Sequence, residues 1–163
     1  MRHDTILIVD DEAELVELIA AAMKKYFAKV VTATDGLKAK EILLAERPNF
    51  IVTDVNMPGL SGLDLIQAAR TEGVETLAII MTGGADRDTA IDALRLGVSD
   101  FIEKPFDMGE LAVRIERAIV ISKKEDQINS LKSQSGPDDL AIQERKRVGL
   151  IRAVNRRERK KTA

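Results

Sequence analysis

Short apolar runs punctuate the first hundred residues, and each stops on polar or turn-forming residues. Thr5-Ile6-Leu7-Ile8-Val9 ends in Asp10-Asp11, and residues 28–33 close at Asp35-Gly36. Phe50-Ile51-Val52 runs into Thr53-Asp54, and residues 77–81 give way to Thr82-Gly83-Gly84. Residues 99–103 are followed by Lys104-Pro105. Runs this short and apolar are typical of strands buried on both faces. Between them the apolar residues return at helical spacing: Leu15, Ile19, Ala22, Met23 and Tyr26 mark a helix over 12–26. Further helices are predicted over 37–45, ended by Arg47-Pro48, and over 61–70, opened by the capping pattern Ser61-Gly62-Leu63-Asp64. Another covers 86–96, stopped by Gly97, and the last covers 107–121, opened by Asp107-Met108-Gly109-Glu110. Five strand–helix pairs in strict alternation predict an α/β fold, a parallel sheet with helices on both faces.

Beyond Ile121 the pattern fades. Residues 122–132 are polar, with Ile128 and Leu131 as the large apolar exceptions, and Ser133-Gln134-Ser135-Gly136-Pro137 reads as a linker. Residues 140–161 read as a basic segment, helical or disordered, with Val148, Leu150, Ile151 and Val154 as a partial apolar stripe. The chain therefore divides into a domain over 1–121 and an extension over 122–163. Charge follows the same division. Residues 1–121 carry 13 Lys+Arg against 21 Asp+Glu, a net of −8, and residues 122–163 carry 12 against 6, a net of +6; together these give the −2 of the whole chain.

Composition narrows the chemistry. At 45% hydrophobic and 3% aromatic residues, the core is aliphatic. The absence of cysteine excludes disulfides, thiol catalysis and thiolate-bound metals, and the one histidine, His3, is read as part of the N-terminal tail, so a histidine triad or a zinc site is not expected. No apolar run approaches membrane-spanning length and no secretory leader is visible, so a cytoplasmic location is expected.

What remains is a set of residues that the fold would gather. In a doubly wound parallel sheet the carboxyl ends of the strands share one edge, where ligands bind. Asp10, Asp11, Asp54, Thr82 and Lys104 all fall at such ends. Singly, each has an ordinary use: Asp10 and Asp11 as a helix N-cap pair, Asp54 or Thr82 in a turn, Lys104 on the surface. Together they make chemical sense. Crowded carboxylates need a cation, and an oxygen-only site open to phosphate suits Mg²⁺. An ammonium and a hydroxyl hold phosphoryl oxygens, and a carboxylate beside the metal is a phosphoryl-accepting nucleophile.

The segments Ile8-Val9-Asp10-Asp11-Glu12, Asp54-Val55-Asn56-Met57-Pro58-Gly59, Met81-Thr82-Gly83 and Lys104-Pro105-Phe106, in this order and each at a strand end, resemble the receiver domain of two-component response regulators. The resemblance covers residues 5 to about 121. It implies a flavodoxin-like five-stranded sheet of order 2-1-3-4-5. It also implies that Asp54 is the phosphoacceptor, that Asp11 ligates Mg²⁺ directly, Asp10 through water, and Asn56 through its backbone carbonyl. Thr82 and Lys104 would bind phosphoryl oxygens, and Phe101 would be the aromatic switch residue, its ordinary alternative being core packing. The Lys104-Pro105 peptide would be cis. Asn56 and Gly84, two residues beyond Asp54 and Thr82, would set the rate at which the phosphoryl group is hydrolysed. The partners implied are a sensor histidine kinase or phosphotransfer protein and a downstream protein target, with the chain a monomer or a phosphorylation-dependent dimer.

Two other function classes compete. A Mg²⁺-dependent phosphohydrolase of the haloacid dehalogenase type needs an acid two residues after its nucleophile, and here that position is Asn56. A DNA-binding transcriptional regulator would have to act through the basic tail. The 42 residues after Ile121 are few for a winged-helix or helix-turn-helix domain, and they contain no aromatic residue for base stacking, so nucleic acid is not the expected partner. The expectation is a switch rather than an enzyme.

Overall fold

β1 (His3–Val9) lies between β2 (Phe27–Ala33) and β3 (Phe50–Asp54), and β4 (Leu77–Thr82) and β5 (Asp100–Glu103) extend the sheet on the β3 side. All pairings are parallel, in the order β2-β1-β3-β4-β5, the order implied by the receiver resemblance. The structure is a computed structural model and describes residues 3–84 and 87–134. The helices are α1 (Ala13–Met23), α2 (Gly36–Glu46), α3 (Gly62–Thr71), α4 (Arg87–Arg95) and α5 (Met108–Gln134). The expected helix-opening residue Asp86 and the tail from residue 135, including the 140–161 segment, lie outside the described residues. The described residues up to Ile119 form one compact unit. The second begins at Val120, and its described part is the end of α5, where Val120, Ile121, Ile128 and Leu131 are exposed.

Alternation along the strands sorts the core into two layers, because successive side chains in a strand point to opposite faces. Ile6, Ile8, Val52, Ile79, Met81 and Ile102 pack with Val16, Ile19 and Met23 of α1 and Leu111, Ile115 and Ile119 of α5. Leu7, Val9, Ile51 and Ile80 pack with Ala39 and Leu43 of α2 and with Leu65, Ile66 and Ala69 of α3. On the first face Phe27 and Phe50 meet edge-to-face, with ring centroids 5.9 Å apart.

The sequence pattern and the structure differ at the first and the last helix. The first helix buries Val16, Ile19 and Met23, whereas Leu15 and Ala22 are half-buried at its margin and Tyr26 falls beyond its end. Two apolar residues in succession, Leu15-Val16, leave the helical phase ambiguous by one position. The last helix was expected to stop near Ile121 but continues to Gln134. Residues 122–134 give no apolar period, yet they include three Lys, two Gln and one Glu, which sustain a helix through backbone propensity. Gly84 has a backbone φ of 146°, a conformation that L side chains rarely adopt.

Candidate functional site

The carboxyl edge of the sheet collects the residues singled out from the sequence. Asp10 follows β1 directly and is fully buried. Its Oδ1 accepts a hydrogen bond from the Glu12 amide at 2.9 Å, which turns the chain into α1. Asp54 is the last residue of β3, and its Oδ2 accepts from the Asn56 amide at 2.8 Å. The two carboxylates are joined by Lys104, whose Nζ lies 2.6 Å from Asp10 Oδ2 and 2.9 Å from Asp54 Oδ1. Burial alone would push the Lys104 ammonium down; its hydrogen bonds to Asp10 and Asp54 outweigh that and hold it above the ordinary lysine value.

Lys104 reaches this position because its backbone continues the ladder: its amide donates to the Thr82 carbonyl at 2.7 Å, just past the Thr82–Glu103 pairing. The Lys104-Pro105 peptide is cis. Thr82, the last residue of β4, is buried, and its Oγ1 accepts from the Gly84 amide at 3.2 Å. Asp11 and Asn56 are exposed at the rim. Phe101 is half-buried and packs against the core layer of α2 and α3.

Of the expected residues, the structure thus brings Asp10, Asp54 and Lys104 into direct contact, with Thr82 joined to Lys104 through the main chain. It does not draw Asp11 into that contact, and among the described residues no three acidic side chains are grouped to hold a metal ion. The donors present are nevertheless all oxygen. Two adjoining carboxylates share a single ammonium, which leaves them one unit short of neutral. Mg²⁺ takes one or two carboxylates and fills its remaining positions with water and phosphate oxygens, so this set fits it.

Two residues that the sequence reading did not assign to the site belong to the same place. Thr53, fully buried, donates its hydroxyl to the Asp54 carbonyl at 3.1 Å. Gly62, the first residue of α3, donates its amide to the Val55 carbonyl at 3.0 Å. A glycine immediately after the Ser61 cap, where helix formers are favoured, was the available signal.

Comparison with known proteins adds the following. Residues 6–116 match the family described as response regulator receiver domain. The nitrogen assimilation regulatory protein NtrX of Azorhizobium caulinodans is 36% identical over 141 residues, covering 84% of this chain and 30% of that protein. The DNA-binding transcriptional regulator NtrC of Escherichia coli is 30% identical over 119 residues, covering 73% of this chain and 25% of that protein. The chain therefore spans less than a third of either relative. A response regulator receiver domain protein from Clostridium thermocellum superposes with a TM-score of 0.67 at 28% identity, covering 74% of this chain and 97% of that one. Among the described residues no helix is long and apolar enough to cross a membrane.

Proposed function

The chain belongs to the response regulator receiver domain family, and we propose that it accepts a phosphoryl group on Asp54 and relays that event by changing its contacts with other proteins. The observation that carries this reading is Lys104 bridging Asp10 and Asp54 at 2.6 and 2.9 Å. A carboxylate held in that arrangement is oriented by its neighbours, and the ammonium stands where charge on a transferred phosphoryl group develops. In the proposed step an Asp54 carboxylate oxygen forms a bond to phosphorus while the P–N bond of a donor phosphohistidine breaks, and the departing imidazole takes up a proton. Receiver domains work with Mg²⁺, which supplies charge neutralisation for the donor and acceptor oxygens. Asp10, Asp11, Asp54 and the Asn56 carbonyl would hold it here. Lys104 then pairs with the phosphoryl oxygens, as does the Thr82 hydroxyl once it turns from the Gly84 amide.

The turn of Thr82 is the proposed origin of switching, with Phe101 moving in response, and Asn56 and Gly84 flank the water that ends the signal. The donor is a sensor histidine kinase or a phosphotransfer protein. The chain acts as a switch whose own chemistry is limited to its phosphorylation and dephosphorylation. The test is labelling with acetyl phosphate and Mg²⁺. The protein gains one acid-stable, base-labile phosphoryl group, and Asp54→Asn abolishes it, since an amide oxygen is a far poorer nucleophile. Undiminished labelling of Asp54→Asn sinks the assignment.

A second reading concerns output. The relative NtrC is named as a DNA-binding transcriptional regulator, which does not support the sequence-based expectation that nucleic acid is an unlikely partner. With 12 Lys+Arg against 6 Asp+Glu in residues 122–163, the proposal extends to duplex DNA as an output ligand of the whole protein. Binding to duplex DNA that weakens steeply with salt and is lost on removal of residues 122–163 supports it. Absence of such binding leaves protein contact as the output.

A further inference from the structure

Gly62 has no conformational reason to be glycine. Its backbone is not among those with positive φ, and the Ser61–Asp64 capping box starts α3 without help from a flexible residue. At a helix start glycine is also a poor choice energetically. The requirement is space. A Cβ added to Gly62 would lie 2.0 Å from the Asp54 carbonyl oxygen, 3.0 Å from the Asp54 carbonyl carbon and 3.0 Å from Thr53 Oγ1. The two Asp54 atoms are main chain and cannot swing aside, and the third is a buried hydroxyl. Thr53 Oγ1 meanwhile donates to that same Asp54 carbonyl oxygen. The main chain of Asp54 is thus seated between a hydroxyl and the bare Cα of the residue that opens α3, while the next carbonyl, that of Val55, accepts the Gly62 amide.

We propose that Gly62 and Thr53 are positioning residues for phosphoryl transfer: by fixing the Asp54 carbonyl they fix the direction in which the Asp54 carboxylate faces the donor. This rests on Asp54 being the phosphoacceptor. An aspartate has two side-chain torsions between backbone and carboxylate, and here Oδ2 is held by the Asn56 amide and Oδ1 by Lys104. With the side chain so tethered, a shift of the main chain passes to the nucleophilic oxygen and to the Asn56 carbonyl two residues on. Gly36, at the first residue of α2, serves the far end of the same loop. A Cβ there would lie 2.2 Å from the Leu60 carbonyl oxygen and 2.7 Å from Leu60 Cβ, again without positive φ. Two helix starts therefore clamp residues 54–62 from either end.

The experiment compares Gly62→Ala, Thr53→Val and Ala69→Gly by acetyl phosphate labelling across a Mg²⁺ series, at a temperature where circular dichroism shows each fully folded. Ala69 is buried in the same helix but away from Asp54, so Ala69→Gly loses stability without touching the seat. A displacement of the order of 1 Å at a reacting atom costs up to about 100-fold, so Gly62→Ala is expected to be labelled about 10- to 100-fold more slowly, with half-saturation moved to higher Mg²⁺. Thr53→Val, which loses one hydrogen bond, slows about five-fold. Ala69→Gly keeps the original rate and Mg²⁺ dependence. Gly62→Ala and Thr53→Val both labelled at the original rate would overturn the proposal, as would a loss in Ala69→Gly equal to theirs. If Gly62→Ala does not fold, Thr53→Val against Ala69→Gly decides alone. Failure of the unsubstituted protein to label on Asp54 is a different result: it removes the phosphoacceptor reading itself.

Discussion

Lys104 sets one positive charge against two carboxylates, and one of them, on Asp10, has no access to water. Removing one partner of a buried pair is costly because the other charge stays buried. Lys104→Met is therefore expected to lower the unfolding free energy by about 3 kcal/mol in the absence of divalent cation. Added Mg²⁺ restores part of the loss, because a cation bound by the folded state alone stabilises it. Urea unfolding with and without Mg²⁺ measures both, and a deficit indifferent to Mg²⁺ argues against a shared site. The pH dependence has a definite sign. The folded-state value of Lys104 is raised above 10.5, so its contribution is complete below that value and is lost as pH rises through the folded one. Alkaline unfolding should set in more steeply for the unsubstituted protein than for Lys104→Met. Gly84 carries a separate cost: Gly84→Glu is expected to shorten the phosphoryl lifetime by orienting water, and to lose about 1–3 kcal/mol from the strained φ of 146°. Hydrolysis rate and thermal midpoint together separate the two effects. At this scale the identities of Asp10, Asp54, Thr82 and Lys104 were legible because each ends an apolar run. The exposure of Asp11 and the seat beneath Asp54 were not, since both depend on how a loop and a helix start approach a strand end.

Arg70, near the end of α3, shows how elements far apart in sequence are tied. Its Nε donates to the Leu96 carbonyl at 3.1 Å, and its two terminal nitrogens donate to Thr76 at 3.0 Å and Gly97 at 3.4 Å. Burial lowers its guanidinium below the ordinary arginine value, but that value is high enough to leave it charged. Leu96 and Gly97 directly follow α4, so Arg70 anchors the carboxyl end of that helix. Arg70→Ala is expected to cost about 2–3 kcal/mol, as hydrogen bonds from a charged donor do, and to raise amide exchange in α4 above that in α1. Equal exchange in the two helices would remove the anchoring role. The strands and three of the helices were legible from their periods to within a residue or two, and α1 to within three, whereas the length of α5 was not. Its buried residues, Leu111, Ala112, Ile115, Ala118 and Ile119, all precede Val120, and later positions carry no apolar signal. A chain ending at Ile121 is accordingly expected to keep cooperative unfolding while losing the helical dichroism of residues 122–134. Loss of the cooperative transition would show that the later helix supports the fold.

For the molecule as a whole, strict alternation was enough to read a parallel sheet, and the resemblance supplied its strand order. What the pattern did not carry was which helix lies on which face, because that depends on the crossovers and not on any one segment. The order β2-β1-β3-β4-β5 has a consequence in time. β1, flanked on both sides in the finished sheet, is also the first of these five strands to be synthesised, and each of the next four joins an edge that already exists. Growth can therefore follow the ribosome, with no strand waiting for a later one to be inserted beside it. Lys104, however, lies just beyond the last strand. Throughout synthesis up to that point, Asp10 and Asp54 lack the ammonium that later bridges them, and β4, apolar as far as Met81, presents an unpaired edge. A nascent chain stalled before β5 should be the form most prone to aggregate and most dependent on chaperones, and arrival of the last strand closes the edge and brings the bridging ammonium to the carboxylates in a single event.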